Sequence, residues 1–439
     1  MISPREFISD SEINFALLFR LSQTFFGILI IFLLPIYLNE LEQGVYFTFL
    51  SLTAAQIFFE LGLNQVVIQN VSSYKGELTL NNSKKDISSI SAKIFILHSK
   101  LLKIYLILAF AFIAIVGPIG YFIFKNSIEL SLINWLLPWS ALVLLTGFNL
   151  YLSPLLSFHE GLGRVTPVYK LRFIQTVIGS TFLILLLIWG FNLFSIIALP
   201  FISFIFSFIW LNLNFNHIKK FKEFINKKND FNFSWYNEIF ALQWRVSLSW
   251  ISGYFIFYFL QPVIFSVYGP VIAGKFGISF NILRVASNLC ISWLSPKLPE
   301  LSRLYFSKKK RSMNNLFLRY SKNVIQISFI SFLGINFAHY LLGIYDSELQ
   351  NRFLDYEHFF VLTLICFIDI CIYCLATYTR AFKEEPFYKI SVFAAILAVL
   401  TGLLANFITF YIFLLLRLIA NLLIILPWSY KIFNNYWAR

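Results

Sequence analysis

The sequence predicts an all-α polytopic membrane protein with twelve transmembrane helices. Of its 439 residues, 59% are hydrophobic and only 13% are charged, a composition outside the range of soluble globular domains. The hydrophobic residues form runs of about 20, the length that an α-helix needs to cross the hydrocarbon core. Basic residues are concentrated in alternate loops between these runs. Together these three observations define the fold class.

Twelve apolar runs follow one another along the chain. They cover residues 14–38, 44–69, 101–124, 133–158, 171–191, 194–215, 239–266, 270–298, 322–345, 357–381, 387–409 and 410–433. The tightest cuts fall at Phe191-Asn192 and Phe410-Tyr411, where a very short turn must separate two helices. The first dozen residues have neither a basic start nor a small-residue cleavage site, so we expect the first run to remain as an uncleaved helix.

The distribution of Lys and Arg predicts the orientation of the chain. With a cytoplasmic N-terminus, 28 of the 35 basic residues lie in inner loops, whereas the acidic outer loops hold only Lys125 and Arg352. Loops on the cytoplasmic side carry such an excess of positive charge. We therefore expect a multi-pass membrane protein with both termini in the cytoplasm. These loops account for the net charge of +14 without nucleic acid binding.

A basic loop divides the twelve spans six and six. We expect an N-terminal six-helix lobe over 1–215, a cytoplasmic linker over 216–238 and a C-terminal six-helix lobe over 239–439. Six spans in each half give both halves the same orientation, as in parallel repeats. Interruptions within the spans occur at Gly117-Pro118, Pro138, Pro154, Pro200 and Gln261-Pro262. Such residues are typical of helices that bend or line a cavity, and also of passive kinks.

The stretch 243–311 contains the features on which a function can be based. It holds two spans, a tight turn at Tyr268-Gly269-Pro270 and three cations at membrane depth, and it ends on the basic run 308–311. A cation in a helix at hydrocarbon depth costs roughly 3 kcal/mol on insertion scales, so it normally faces a polar cavity or a partner.

Cations outnumber carboxylates within the predicted spans. The cations are Arg20, Arg245, Lys275, Arg284 and Arg417, and the carboxylates are Glu60 and Asp369. An excess of positive charge suits a cavity for an anionic ligand, because the fixed guanidinium fork pairs with phosphate oxygens. The alternative is a structural role in which the cations snorkel to the interface, as Lys275 near an outer end could do, or pack against neighbours.

The two carboxylates have two interpretations. Glu60 and Asp369 are either counter-ions that fix an arginine or groups that couple transport to a gradient of H⁺ or Na⁺. We favour the counter-ion role for Glu60 and give both roles equal weight for Asp369.

No motif predicts a catalytic residue, a metal site or a cofactor. The four cysteines lie in apolar runs and are interpreted as small packing residues. The segment Gly161-Leu162-Gly163-Arg164 has no preceding strand, so it is expected to be a cytoplasmic turn rather than a phosphate loop. Sugar-nucleotide transfer and hydrolase chemistry therefore have no support in the sequence, and we predict that the protein is not an enzyme.

Several segments have the order and spacing of a known family. They are FFELGLNQVVIQ at 58–69, EGLGRVTPVYKLRFIQ at 160–175, QWRVSLSWISGYFIFYFLQPVIFSVYGPVIAGKFG at 243–277 and SWLSPKLPELSRL at 292–304. In these segments the chain resembles polysaccharide flippases of the O-antigen type, in the multidrug/oligosaccharidyl-lipid/polysaccharide (MOP) exporter superfamily. The resemblance covers the whole chain and implies two six-helix lobes around a central cationic cavity that opens alternately to each face.

The resemblance also implies a substrate. It would be an oligosaccharide on undecaprenyl pyrophosphate, moved from the cytoplasmic to the outer leaflet of a bacterial inner membrane for surface polysaccharide synthesis and driven by an ion gradient. Membrane lipids, a polysaccharide polymerase and glycosyltransferases would be its partners. We expect Arg245 and Arg284, then Arg20, Arg417 and Lys275, to attract the pyrophosphate. The sugars would contact Gln243, Tyr254, Asn281 and Asn288.

Two other functions remain open at this point. A polysaccharide polymerase or ligase is similarly polytopic but carries a long outer loop, and the longest one here, about 346–356, is short and acidic. A multidrug cation exporter could share the fold but would require a cavity of the opposite charge. Sugar composition, coupling ion and oligomeric state have no signature in the sequence.

Overall fold

The protein is described by a computed structural model that covers residues 11–80, 84–216, 218, 219, 241–345, 347–382, 384 and 386–438. All regular structure in these ranges is helical. Ten helices in the described ranges are long and apolar enough to cross a membrane, and a bent pair makes an eleventh span. The remaining predicted span, the eighth (270–298), forms the 22-residue helix Pro270–Ile291, which would extend about 33 Å. The prediction of a multi-pass, all-α membrane protein is confirmed.

The helices are numbered in chain order. Those of the N-terminal part are α1 (Ser11–Tyr37), α2 (Glu40–Thr53), α3 (Ile57–Glu60), α4 (Leu63–Leu80), α5 (Lys84–Lys125), α6 (Leu136–Gly161), α7 (Val165–Ile188) and α8 (Ala198–Asn214). The C-terminal part contains α9 (Ala241–Phe257), α10 (Leu260–Tyr268), α11 (Pro270–Ile291), α12 (Leu298–Phe306), α13 (Lys310–Tyr345), α14 (Ser347–Gln350), α15 (Tyr356–Arg380), α16 (Tyr388–Leu404), α17 (Phe410–Ala420) and α18 (Leu426–Ala438). A π-helical turn, Asn421–Ile425, joins α17 to α18.

The chain folds into two compact units that each draw on more than one segment. The first unit comprises Met1–Leu38 and Leu52–Ile251, and the second comprises Asn39–Ser51 and Ser252–Arg439. A single cut in the sequence therefore does not separate the two units, because most of α2 belongs to the second unit. Of the predicted linker 216–238, residues 217 and 220–238 lie outside the described residues.

Short turns separate helices where the apolar pattern predicts the tightest cuts. After α7, Gly190 and Asn192 adopt φ values of 77° and 44°, which reverse the chain before α8. Before α17, the Thr409 side chain accepts a hydrogen bond from the backbone N–H of Ile412 at 3.4 Å and caps the helix. The turn between α10 and α11 is built on Gly269, with a φ of 90°, and on a proline in the first turn of α11. The turns predicted at Phe191-Asn192 and Tyr268-Gly269-Pro270 are confirmed, whereas the one predicted at Phe410-Tyr411 lies just before these residues, at Ile408 and Thr409.

The second predicted span, 44–69, is not one continuous helix. Glu40–Glu60 and Leu63–Leu78 are bent by 41° against each other. Between them Leu61 and Gly62 have φ values of 47° and 69°, and the left-handed conformation of two successive residues ends the first helical segment. The apolar pattern contains no proline here, so it does not indicate this bend within the predicted span.

The predicted proline interruptions fall into two groups. Pro118 and Pro154 lie inside α5 and α6, as expected for kinks. Pro138, Pro200 and Pro262 instead lie in the first turns of α6, α8 and α10. A proline in the first turn removes no helical hydrogen bond, because the first amide groups have no partner within the helix. At these three positions a helix begins, whereas the sequence predicted a helix interrupted within the membrane.

The turn at 161–164 is held by polar side chains of the first unit. Gly163 has a φ of 78°, and the Nζ atom of Lys75 donates a hydrogen bond to the carbonyl of Leu162 at 2.5 Å. Lysine near the end of a helix satisfies carbonyl groups that have no amide partner. Arg172 forms an ion pair with Glu160 at 3.1 Å across the same turn. The turn predicted from the sequence is confirmed, and its cations have structural roles.

Candidate functional site

The candidate site of the second unit is built at the break between α9 and α10. The amide groups of Tyr258 and Phe259 both donate to the carbonyl of Tyr254, at 2.8 and 3.1 Å, so the regular ladder is interrupted there. The Ser51 hydroxyl donates to the Tyr258 carbonyl. A break in a membrane helix must have its carbonyl groups satisfied by neighbours, and side chains from other helices perform that function here.

Arg284 projects from α11 onto this break. Its Nη2 atom donates a hydrogen bond to the Tyr258 hydroxyl at 2.7 Å. Its guanidinium carbon also lies 4.8 Å from the centre of the Tyr258 ring and 5.9 Å from that of Phe257. Such cation–π contacts hold a guanidinium without neutralising its charge. The side chain is partly buried, and most of its five N–H donors remain for other acceptors.

Arg417 reaches the same break from α17. Its Nη2 atom donates to the carbonyl of Ile256 at 2.7 Å. Asp369 on α15 lies within electrostatic range of Arg417, and its Oδ1 atom accepts a hydrogen bond from Asn421 Nδ2 at 3.0 Å. Asn421 opens the π-helical turn that follows α17. π-helical turns are rare and often occur at functional sites.

The three charged groups form one cluster with a positive balance. Cys366, which is 5% exposed, lies within electrostatic range of all three, Asp369, Arg417 and Arg284. Among the described residues no carboxylate lies within 4.0 Å of either guanidinium, so the cluster contains two cations, one carboxylate and no close ion pair. We call Arg284, Asp369 and Arg417 the C-terminal charge cluster.

The other three predicted cations lie on α1, α9 and α11. Lys275 is partly buried on α11, nine residues before Arg284 and therefore about 13 Å away along the helix axis. Arg20 is exposed on α1 of the first unit. Arg245 lies on α9 within the first unit, but its side chain falls outside the described residues. Of the three predicted cations in the second unit, the structure brings Arg284 and Arg417 to the same break and places Lys275 farther along α11.

The structure gives Glu60 neutral partners. Asn64 Nδ2 donates to Glu60 Oε2 at 3.3 Å, and Ser153 also hydrogen-bonds the carboxylate. The counter-ion role that the sequence favoured for Glu60 needs a cation in contact, and none of the described Lys and Arg residues is within 4.0 Å of it. The interpretation of Glu60 as a counter-ion is therefore corrected.

The residues predicted to contact sugars have varied surroundings. Tyr254 is buried and stacks on Tyr258, with ring centres 6.1 Å apart. Asn281 donates its amide to the Gly277 carbonyl of its own helix at 2.8 Å. Gln243 is partly buried and Asn288 is exposed. A hydrogen bond to the helix backbone leaves the Asn281 side-chain carbonyl as its remaining acceptor.

Sequence reasoning missed two side chains that hydrogen-bond to members of the cluster. Tyr258 holds Arg284, and Asn421 holds Asp369. The Gln261-Pro262 pair indicated an irregular helix near Tyr258, although the proline itself only begins α10. One feature of the sequence could have identified Asn421 as a site residue: it is polar and lies one helical turn after Arg417 in an otherwise apolar run.

Solved structures of membrane transporters share the fold of this chain. Neither a protein-family model nor a curated protein matches the sequence. Solved structures do match over nearly the whole chain, and they are transporters of the MOP superfamily and a lipid flippase. The chain has the fold of MOP superfamily transporters, which confirms the fold that the resemblance in the sequence implies.

Three particular structures illustrate the likeness. The lipid II flippase MurJ, in an inward closed conformation, matches with a TM-score of 0.61 and 14% identity over 94% of this chain and 87% of that chain. An inward-facing multidrug resistance MATE family transporter matches with a TM-score of 0.57 and 13% identity over 93% and 98%. A MOP superfamily transporter from Pyrococcus furiosus Vc1, for which reverse polarity of the binding pocket suggests a different function, matches with a TM-score of 0.50 and 12% identity over 97% and 95%.

Proposed function

We propose that this protein flips an anionic lipid-linked oligosaccharide across a bacterial inner membrane. The substrate would be an oligosaccharide carried on undecaprenyl pyrophosphate, as in O-antigen synthesis, and the driving force would be an ion gradient. The observation that carries the proposal is the C-terminal charge cluster, in which two guanidinium groups on apolar helices have no carboxylate of the described residues within 4.0 Å. The shared fold with the lipid II flippase MurJ supports a lipid-linked substrate.

A pyrophosphate suits the geometry of the two arginines. Arg284 and Arg417 each use one Nη2 atom to bind the broken segment of α9 and α10. The hydrogen bonds to Tyr258 and Ile256 fix the side chains, while the other N–H groups are left to bind phosphate oxygens as a fork. Arginines held in advance lose little side-chain entropy when the ligand binds.

Asp369 would regulate the affinity of the cluster. Its carboxylate lies within electrostatic range of Arg417 and is oriented by Asn421. A pyrophosphate that approaches Arg417 must compete with this charge, so Asp369 would keep binding reversible. It thus retains the two roles that the sequence left open, that of a counter-ion and that of a group that couples transport to an ion.

The remaining parts of the proposal concern orientation and partners. The excess of Lys and Arg in alternate loops supports cytoplasmic ends and uptake from the cytoplasmic leaflet. A flippase of this kind would receive its substrate from glycosyltransferases and deliver it to a polysaccharide polymerase. Arg20, Arg245 and Lys275 would contribute to the electrostatic attraction of the lipid head group.

The main rival is a multidrug cation exporter, because MATE transporters share the fold. A site for organic cations needs acidic or aromatic groups, whereas the described cluster has two cations and one carboxylate. An enzyme that polymerises or ligates polysaccharide has weaker support, because the solved structures of this fold are transporters and a flippase.

A binding measurement on the purified protein separates these functions. We expect undecaprenyl pyrophosphate to bind at least about tenfold more tightly than undecaprenol, which has the same chain without the pyrophosphate. Native mass spectrometry of the protein in lipid nanodiscs would give both affinities, and ethidium would serve as the organic cation. Tighter binding of ethidium than of undecaprenyl pyrophosphate would overturn the proposal in favour of the exporter.

A further inference from the structure

A groove runs along the C-terminal helix α18 on the surface of the second unit. The side chains that line it are Pro427, Trp428, Lys431, Ile432 and Asn435. Two neighbouring pairs one helical turn apart, followed by a fifth residue one turn further, lie on one face of a helix. The groove has a volume of about 420 Å³, within the range of about 300–1,000 Å³ that is typical of ligand sites.

Helix α16 lies beside this face and runs antiparallel to α18. The ring of Phe393 on α16 contacts the ring of Trp428 edge to face, with the ring centres 5.6 Å apart. Further along α18, the Tyr436 hydroxyl donates a hydrogen bond to the carboxylate of Glu384, which precedes α16 in the chain. As α18 continues it therefore approaches the start of α16, and the two helices bound the groove.

The groove lies where α18 changes from apolar to polar. Residues 422–427 are all apolar, whereas 429–436 include a serine, a lysine, two asparagines and two tyrosines. Trp428 is partly buried at this boundary, and tryptophan is typical of the interface between membrane and water. The groove is thus apolar at one end and polar at the other, as an amphipathic lipid is.

Two lysines supply positive charge at the polar end. Lys431 lies one turn beyond the aromatic contact on α18, and Lys389 lies one turn before it on α16. Because the helices are antiparallel, both lysines lie on the same side of that contact. Both are exposed, and no carboxylate of the described residues lies within 4.0 Å of either ammonium group. Tyr436, which binds Glu384, points about 140° away from Lys431 around the helix axis.

We propose that this groove binds one anionic glycerophospholipid, with its phosphate against Lys431 and an acyl chain along Trp428 and Ile432. An ammonium group attracts phosphate as a point charge, and Lys389 adds to this attraction from the facing helix. The amide of Asn435 provides donors for the head group. The distribution of Lys and Arg predicts that this end of α18 is cytoplasmic, and basic pockets between membrane helices on that side bind anionic head groups.

The character of the groove favours a bilayer phospholipid over the carrier lipid of the proposed function. A phosphodiester carries one negative charge, which a single lysine balances, whereas a pyrophosphate suits the paired forks of arginines. Three lining residues, Pro427, Lys431 and Asn435, are exposed on the surface, where bilayer phospholipids far outnumber any carrier lipid. The inference does not rest on the proposed function, because a transporter of any substrate could bind such a lipid.

Tryptophan fluorescence of the full-length protein in phosphatidylcholine vesicles tests this site. Phosphatidylcholine or phosphatidylglycerol with brominated acyl chains would be added, because bromine quenches tryptophan on contact. We expect brominated phosphatidylglycerol to quench more strongly at the same fraction, and this excess should be absent from Trp428→Phe, which keeps an aromatic ring against Phe393. In Lys431→Gln the preference for phosphatidylglycerol should fall about fivefold.

Lys309→Gln is the matched control, because Lys309 is an exposed lysine in the turn between α12 and α13. This variant loses the same charge and should keep the excess quenching. Equal quenching by the two brominated lipids in the wild-type protein overturns the inference, as does an excess that persists unchanged in Lys431→Gln or Trp428→Phe. Recovery of the fluorescence on adding traces of undecaprenyl pyrophosphate would assign the groove to the carrier lipid and also overturn it. Failure of the flippase proposal leaves these signals unaltered.

Discussion

An Arg284→Gln variant is expected to bind undecaprenyl pyrophosphate roughly thirtyfold more weakly than the wild-type protein. Hydrogen bonds to charged groups contribute about 2 kcal/mol each, and this change removes the charge and the fork together. The glutamine keeps polar atoms near Tyr258, so the break between α9 and α10 should be preserved. Affinity measured by native mass spectrometry in nanodiscs checks the prediction.

Arg303→Gln is the matched control for that experiment. Arg303 is an exposed arginine on α12, outside the membrane-spanning helices, and its loss removes the same charge. The control should leave the affinity within about twofold, because exposed charges are screened by salt. Equal losses in Arg284→Gln and Arg303→Gln would mean that binding depends on the overall positive charge of the protein and not on the cluster.

A Gly44→Ala variant is expected to destabilise the second unit strongly. Gly44 on α2 faces the start of α11, where an added Cβ atom would lie 2.0 Å from the Pro270 carbonyl oxygen. That atom belongs to the backbone and cannot move aside as a flexible side chain would. Overpacking of this kind costs about 1 to 3 kcal/mol, which exceeds the roughly 1 kcal/mol that alanine usually adds to a helix. The midpoint of thermal unfolding should therefore fall.

Gly334→Ala supplies the control for this prediction. Gly334 lies on α13 of the same unit, and a Cβ atom there would meet nothing within 4 Å. The control should unfold at the same temperature as the wild-type protein or slightly higher, because alanine favours the helix. Equal unfolding temperatures for Gly44→Ala and the wild-type protein would show that α2 and α11 do not approach as closely as described.

The contact around Gly44 shows what apolar periodicity cannot predict. On α11, Gly274 faces the amide of Gly44, and a Cβ at Gly277 would lie 2.5 Å from the Phe47 ring. These glycines let two helices approach through their backbones, as small residues do in membranes. Hydropathy identifies both helices as spans but does not indicate that most of α2 packs within the C-terminal unit.

Turns between helices could be predicted where they depend on a few neighbouring residues. The turns near Gly190, Gly269 and Thr409 occur where the apolar runs are cut, because glycine, proline and a capping threonine act through their immediate neighbours. The break at Leu61 and Gly62 was missed because leucine in a left-handed conformation is held by the surrounding fold and has no sequence signal.

The candidate site was predictable in its residue types but not in its pairing. Charge and depth selected Arg284, Arg417 and Asp369, which the structure places in one cluster. The same criteria selected Lys275, which lies on α11 about 13 Å from Arg284 along the helix axis, since depth does not determine which side chains meet. Glu60 was assigned a cation partner because intramembrane carboxylates usually have one, whereas its neighbours proved to be an amide and two hydroxyl groups.

Transbilayer movement of the lipid itself is the most direct test of the proposed transport. A fluorescent oligosaccharide linked to undecaprenyl pyrophosphate would be placed in proteoliposomes, and a quencher that cannot cross the membrane would report its leaflet. We expect the wild-type protein to move the lipid between leaflets faster than empty vesicles do, with a rate that rises under a pH gradient and is lost in Arg284→Gln. Movement no faster than in empty vesicles, while the same proteoliposomes transport ethidium, would contradict the account.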